Sequence, residues 1–214
     1  SFVFKHHYFS ATLDSEILCA LFDAMHASAE VTLTVTARNG GEARAVTVLP
    51  LRVFISVQTG RQHLLAFRNE PQPQIAAFRL DHILSVAPGR ERKDLAQRRA
   101  ALEAARAHMW GVSTAGLNEQ TLQRVEFTVT FGPDETFIPQ RLEREKRCGT
   151  VERIDETSCR FTAEVYDAVE LFPWIRTFIG RIVSLRFSSP ALQQRFWNDI
   201  EEMRRMYAEG GDQA

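Results

Sequence analysis

The 214-residue sequence is poor in cysteine and contains no long hydrophobic run. Its three cysteines cannot all pair within the chain, and no two of them form a Cys-x-x-Cys motif. This usage is typical of a reduced cytoplasmic protein and disfavours a disulfide scaffold or a zinc site. No stretch reaches the roughly 18 apolar residues of a transmembrane helix, and the N-terminus lacks the layout of a signal peptide. We therefore expect a cytoplasmic protein with no membrane partner.

The sequence also lacks an excess of charge and any familiar catalytic motif. The formal net charge is −1, so the chain as a whole does not attract nucleic acid electrostatically. No Ser-His-Asp pattern, Gly-x-Ser-x-Gly, P-loop or Gly-x-Gly-x-x-Gly motif is present. His6 and His7 are adjacent, so their side chains diverge, and no cysteine or acid accompanies them at ligand spacing. We expect a protein that is not an enzyme and that binds no metal and no cofactor.

The first part of the chain has the pattern of one helix followed by short strands. Residues 14–28 carry apolar side chains at helical spacing behind Asp14, a helix-capping residue type. Residues 31–37 then alternate strictly, with Val31, Leu33 and Val35 on one face and threonines on the other, which predicts a half-buried strand. Further short strands, five or six in all, extend to Val86. A helix followed by several short, tightly turned strands fits an SH3-like or Sm-like β-barrel.

A second pattern starts after this strand-rich region. Residues 90–110 are charged and rich in alanine, which we interpret as a helical connector and not as a core helix. From Val125 onward the order of elements is βαββαβ, the ferredoxin-like arrangement. The prediction is an α+β chain with a helix plus barrel at 1–89, a helical linker at 90–118 and a ferredoxin-like domain at 119–214. Its aromatic core is expected to contain Phe137, Phe172, Trp174 and Phe178.

Two segments are rich in basic residues. Six Arg or Lys residues lie between Arg90 and Arg106 beside three acids, and four more lie between Arg141 and Arg147. Such clusters either face solvent on a helix or contact a polyanion. We favour the solvent-facing interpretation for both and keep the polyanion contact as the alternative.

Three cationic side chains stand among apolar strand residues, where Val, Ile, Leu and Phe are the usual occupants. Arg61 and His63 are two residues apart on one predicted strand and therefore point to the same face, which Leu65 and Phe67 continue. If that face lines a groove, the guanidinium and the imidazole flank an apolar floor suited to an anion or a base. The alternative is that Arg61 extends from a strand end and His63 is an ordinary satisfied barrel residue.

Arg79 lies between Phe78 and Leu80 and is followed by Asp81. Because an isolated buried charge is costly, Arg79 needs a partner. That partner is either a ligand or an internal acid such as Asp81, and the two roles are compatible. Ser56, before the turn at Gly60, either donates to a phosphate or caps the turn. Ser56, Arg61, His63 and Arg79 are the predicted ligand-binding residues.

The segment that contains these residues resembles the WYL domain, a sensor-like module of bacterial transcription regulators. Phe78-Arg79-Leu80-Asp81-His82-Ile83 matches the Phe-Arg-Leu-Asp-Arg-Ile signature of that family in five of six positions. Gln62-His63-Leu64 keeps only the leucine of the Trp-Tyr-Leu motif. Trp174, a Phe-x-Gly that ends at Gly180, and Tyr207 resemble the extension that follows WYL domains. The resemblance implies an Sm-like barrel in which Arg79 belongs to the ligand surface.

The resemblance implies the effector-sensing and oligomerisation part of a transcriptional regulator. Its effector would be anionic, either nucleotide-like or single-stranded nucleic acid, bound on the barrel. Family members usually bind promoter DNA through an N-terminal helix-turn-helix, which this sequence does not contain, and we expect a homodimer. The alternatives are a stand-alone Sm-like module that binds nucleic acid directly, and an oligomerisation scaffold that binds no ligand.

Overall fold

The computed structural model describes residues 15–36, 42–55, 60–114 and 122–210. These residues form two compact units. The first unit contains the described residues up to Ala105 and the segment from Gly111, and the second contains Arg106–Trp110 and the residues from 122 onward. Among the helices of the described ranges, none has the length and apolar character needed to cross a bilayer.

The first unit combines two helices with one antiparallel sheet. The strand order in this sheet is β4-β3-β2-β1-β5, and every neighbouring pair is antiparallel. A single 3-10 turn, Leu80–His82, joins β4 to β5. The elements in chain order are α1 (Ser15–His26), β1 (Ala29–Val35), β2 (Arg44–Ile55), β3 (Gln62–Arg68), β4 (Gln74–Arg79), β5 (Ile83–Glu91) and α2 (Leu95–Ala105).

The alternation of β1 decides where the core of this unit lies. Val31, Leu33 and Val35 are buried and face Leu21 and neighbouring apolar residues of α1, while the threonines between them face the other side. On that side Thr32 and Thr47 meet across the β1–β2 pair with hydroxyl oxygens 3.2 Å apart. The sequence pattern therefore placed the correct face of β1 inward.

β2 is one strand of 12 residues where we predicted two. Its first half pairs with β1 and its second half with β3, and the register shifts between Pro50 and Arg52. Proline cannot donate to a sheet ladder and therefore favours a strand boundary. A bulge at this point tolerates the proline, so the strand continues through it.

A closed barrel is not present among the described strands. β4 and β5 are the two ends of the sheet order, and no pairing between them is found in the described ranges. The unit is a mixed α/β structure built on an open antiparallel sheet.

The segment predicted to connect two domains begins as a strand and then forms a helix with a buried face. β5 continues through Glu91, and Leu95, Leu102 and Ala105 of α2 are buried. The interpretation that this helix lies outside a core is wrong, because Leu102 is only 1% exposed. The buried positions are few and separated by charged side chains, which is why they gave a weak sequence signal.

The second unit combines helices with a four-stranded antiparallel sheet of order β7-β8-β6-β9. Its core holds several aromatic rings. The ring centres of Phe127, Phe161 and Trp174 lie 5.0–5.6 Å from one another. Such edge-on and tilted contacts are favourable for aromatic pairs. The elements in chain order are β6 (Gln123–Thr130), α3 (Phe137–Glu145), β7 (Thr150–Asp155), β8 (Ser158–Val165), α4 (Phe172–Arg176), β9 (Ile182–Phe187) and α5 (Pro190–Gly210).

One predicted core position of the second unit is wrong. Phe137, at the start of α3, is 55% exposed, whereas Phe172, Trp174 and Phe178 are buried as expected. In α5, Phe196 is buried and Leu192 and Ile200 pack partly buried against the same core, whereas every residue from Glu201 to Ala208 is exposed. Periodicity gives the face of a helix but not how far another element covers it.

Candidate anion-binding site

The pairing of β3 with β4 brings two of the four predicted ligand residues together. His63, the second residue of β3, lies directly opposite Arg79, the last residue of β4, and opposite Phe54 of β2 on its other side. Residues directly opposite each other in an antiparallel pair have Cβ atoms about 5 Å apart. Arg61 immediately precedes β3 and is exposed. Ser56 lies outside the described residues.

His63 occupies an environment that favours the neutral imidazole. Burial lowers the pKa of His63 below its ordinary value of 6.5, and the positive charge of Arg79 lowers it further. Asp81 acts in the opposite direction, while Arg61 adds a smaller effect of the same sign as Arg79. The ring atom Nδ1 is buried and has no hydrogen-bond partner among the described residues. An unsatisfied buried nitrogen beside two guanidinium groups is the least stable feature of this cluster.

Arg79 is held by an acid of its own turn. Its Nε donates to Oδ1 of Asp81 at 3.0 Å and its Nη2 donates to Oδ2 at 2.5 Å. The Asp81 side chain is only 15% exposed, and that of Arg79 is 33% exposed. Burial alone would raise the pKa of Asp81, but the hydrogen bonds and charge of Arg79 outweigh it, so the pKa lies below 3.8. The internal partner anticipated from sequence is therefore present, and it fixes the plane of the guanidinium.

The predicted apolar floor of the groove is covered over part of its length. Leu65 and Phe67 lie on the same face of β3 as His63, and both are buried. The Arg98 guanidinium of α2 lies 3.8 Å from the centre of the Phe67 ring, a cation–π contact. Arg99 of the same helix donates to the carbonyl oxygen of Leu51 at 3.2 Å. Any ligand surface on this face is therefore confined to the end of β3 near His63.

Phe54 and Arg98 contribute to this region, and sequence reasoning did not include them. The position of Phe54 depends on the β2–β3 register, which the bulge after Pro50 shifts. Arg98 reaches the sheet because α2 packs on β2, a contact between elements with no local sequence signal. Asp81 was recognisable, because an acid two residues after a strand arginine is within reach of it.

The basic residues of the second unit are engaged within that unit. Arg141 donates to Glu145 at 3.0 Å and its guanidinium lies 4.4 Å from the centre of the Phe178 ring. Arg147 donates to the carbonyl oxygen of Trp110 at 2.8 Å, and burial lowers its pKa. Arg144, in contrast, is 73% exposed on its side chain. These contacts favour a structural role for Arg141 and Arg147 over a polyanion contact.

Comparison with known proteins gives similarity of fold only. No protein-family model matches the sequence, and no curated protein matches it. Proteasome accessory factor B/C (PafBC) of Arthrobacter aurescens is 15% identical, with a TM-score of 0.36, over 92% of this chain and 27% of that chain. A CRISPR Cas-related protein is 10% identical, with a TM-score of 0.50, over 96% of this chain and 52% of that chain. This chain thus spans about a quarter and about half of these structures, and it shares the general fold of the second.

Proposed function

We propose that this chain is the effector-binding region of a WYL-type transcriptional regulator. In this proposal an anionic ligand, either nucleotide-like or single-stranded nucleic acid, binds at Arg61, His63 and Arg79. The observation that carries it is the placement of His63 directly opposite Arg79, since two nitrogen-rich side chains meet there on neighbouring strands. The proposal assigns binding to the chain and not catalysis.

The strand orders support the finer fold assignment within the proposal. The order β4-β3-β2-β1-β5 behind an N-terminal helix is what an Sm-like sheet that does not close fully would have. The order β7-β8-β6-β9, with a helix between β6 and β7 and another between β8 and β9, is compatible with a ferredoxin-like domain. We therefore propose an open Sm-like unit followed by a ferredoxin-like unit.

Arg79 is suited to anion recognition because Asp81 orients it before a ligand arrives. A guanidinium with a fixed plane loses less side-chain entropy on binding than a mobile one. A phosphate or carboxylate would also stabilise a protonated His63, so ligand binding and proton uptake should be coupled.

The regulatory step would be a shift between two arrangements of the chain. An effector that binds one arrangement more tightly favours it, and the attached DNA-binding domain then changes its affinity for the operator. This step requires a helix-turn-helix outside the present chain and, in our proposal, a homodimer.

The binding proposal is tested with mononucleotides, cyclic dinucleotides and short single-stranded oligonucleotides in a thermal-shift titration. A ligand at 100 times its dissociation constant should stabilise the fold by about 2.7 kcal/mol. Arg79→Gln should abolish the shift and Arg79→Lys should weaken it, because lysine lacks the planar donor fork. Arg186→Gln, which removes an exposed strand arginine of the second unit, should bind like the wild type.

The outcomes separate the proposal from its alternatives. If no anionic ligand shifts the midpoint while the protein is dimeric by sedimentation, the chain is an oligomerisation scaffold. If only oligonucleotides bind, with affinity that falls steeply with salt and no change in assembly, the chain is a direct nucleic-acid-binding module. A shift that survives in Arg79→Gln would place the ligand elsewhere.

A further inference from the structure

A cleft in the first unit, separate from the His63–Arg79 pair, concentrates arginine side chains from three strands. It has a volume of about 620 Å³, and its charged lining residues are Glu30, Arg44, Arg68, Glu70 and Arg90. Arg68 ends β3, whereas His63 lies near its start, so the two residues are five positions apart along the strand. At about 3.3 Å per residue the two positions are roughly 17 Å apart along the strand. The cleft therefore does not belong to the site described above.

Strand pairing explains why these arginines converge. Arg44 is the first residue of β2 and pairs with Val35 near the end of β1, while Arg68 pairs with Gln74 at the start of β4. Arg90 lies on β5, whose pairing with β1 brings it to Glu30. The loop that carries Glu70 joins β3 to β4 and lines the cleft beside Arg68. Each of the three strands β2, β3 and β5 thus places one arginine at the cleft.

The two acids of the cleft neutralise only part of its positive charge. Glu30 is only 5% exposed and already accepts from Arg90 at 3.1 Å and from Arg92 at 2.6 Å. With the Gln74 amide oriented so that its oxygen faces Arg68, Nε of Arg68 donates to that oxygen at 3.1 Å, so Arg68 bonds a neutral group. Arg44 is exposed, and its guanidinium makes no hydrogen bond or ion pair with a side chain or carbonyl of the described ranges. With three arginines against Glu30 and Glu70, the lining carries a net charge of +1.

The mixed lining indicates the chemistry of a ligand. Guanidinium groups recognise phosphate with two parallel N–H donors. An exposed carboxylate such as Glu70 accepts hydrogen bonds from hydroxyl groups but repels a second phosphate. A polynucleotide would place successive phosphates against such a lining, whereas a small molecule with one phosphate would not. The volume lies within the range of about 300–1,000 Å³ that is typical of small-molecule sites.

We propose that this cleft binds a small molecule that carries one phosphate group and several hydroxyl groups. The phosphate contacts Arg44 and Arg68, and the hydroxyl groups donate to Glu70. Arg90 stays with Glu30 and keeps that buried carboxylate compensated. The site does not depend on the function proposed for His63 and Arg79.

The test uses isothermal titration calorimetry at low salt with ribose 5-phosphate, inorganic phosphate and ribose as probes. We expect the wild type to bind ribose 5-phosphate more tightly than inorganic phosphate and not to bind ribose. Arg44→Gln should weaken ribose 5-phosphate binding about tenfold or more, because a charge-assisted hydrogen-bond donor is lost. Glu70→Gln should reduce the preference for ribose 5-phosphate over inorganic phosphate.

Two variants keep the two sites distinguishable. Arg79→Gln and Arg186→Gln should leave ribose 5-phosphate binding unchanged, since neither residue lines the cleft. The Arg44 side chain is exposed and forms no ion pair with the described residues, so Arg44→Gln should fold, and circular dichroism checks this. Should it not fold, Arg68→Gln takes its place.

The proposal is overturned if the wild type does not bind ribose 5-phosphate or if Arg44→Gln binds it as the wild type does. Loss of binding in Arg79→Gln alone would also overturn it, because the phosphate would then occupy the other site. Loss of nucleotide binding in Arg79→Gln with ribose 5-phosphate binding intact supports both proposals.

Discussion

Arg79 and Asp81 form a two-point ion pair across the turn that leads from β4 into β5, with Nε to Oδ1 at 3.0 Å. Arg79 is at the same time the strand partner of His63. One acid therefore orients the arginine whose charge lowers the pKa of His63, and itself acts on that pKa in the opposite direction.

Asp81→Asn should lower the free energy of unfolding by about 1 kcal/mol at pH 7, since a charge-assisted pair is lost at a partly buried position. The pKa of Asp81 is lowered in the folded state, so its contribution is present above 3.8, the ordinary value, and is lost as pH falls through the folded value. Urea unfolding at pH 7 and pH 3 measures both effects. Equal stability of variant and wild type at pH 7 would show that the pair contributes nothing.

His63 should make the protein less stable in mild acid. Because the folded state lowers the pKa of His63 below 6.5, the unfolded chain binds the proton first, and stability falls as pH drops below 6.5. His63→Gln should flatten the pH dependence of the urea midpoint between about pH 7 and pH 5. Arg79→Gln should flatten it in part, because burial still acts on the imidazole. An unchanged slope in His63→Gln would contradict the assignment.

Gly149→Ala should destabilise the protein by about 2 kcal/mol or more. Gly149 has φ +82°, and an added Cβ would lie 2.5 Å from the carbonyl oxygen of Thr162 and 2.7 Å from Cβ of Ala163. Gly180→Ala is the matched control, since a Cβ there meets nothing within 4 Å and its φ is not positive. Thermal unfolding of the two variants measures the difference, and similar midpoints would contradict the described turn.

Native protein should react quickly with a maleimide at one cysteine only. Cys19 is exposed, whereas Cys159 is 2% exposed and burial raises the pKa of its thiol. Burial also raises the pKa of Cys148 to about 11, which leaves very little reactive thiolate near pH 7.5. Mass spectrometry should show one fast adduct in the native state and three in denaturant. Cys19→Ser should remove the fast phase. A fast adduct that remains at Cys148 in that variant would contradict the burial of its thiol.

Most of the elements were predictable because their patterns are local. The alternation of β1 and the apolar spacing of α1 each follow from which side chains face a core. The length of β2 was not predictable, because Pro50 is a strand-breaking residue that only the observed bulge accommodates. The burial of Leu102 was missed for a similar reason, since three well-separated apolar residues on a charged helix resemble a solvated helix.

The candidate site was predictable in its residue types and not in its surroundings. His63 and Arg79 were identified from sequence as cations among apolar strand residues, and Asp81 as an internal partner. Their direct opposition depends on the β3–β4 register. The cover over Phe67 depends on where α2 packs, and the arginine cleft depends on three strands meeting at one end of the sheet.

The sequence by itself determined most of the helices and strands, the apolar faces of α1 and β1, and which cationic residues stand in unusual strand positions. These properties follow from the 3.6-residue and two-residue periods of the backbone, which neighbouring side chains report directly. Only the tertiary structure decided that the first sheet stays open among the described strands and that Arg98 covers Phe67. It also decided that Arg44, Arg68 and Arg90 share one cleft. The physical reason is that strand register and helix packing depend on contacts between residues far apart in the chain. Such contacts produce no periodic hydrophobic pattern within any one segment.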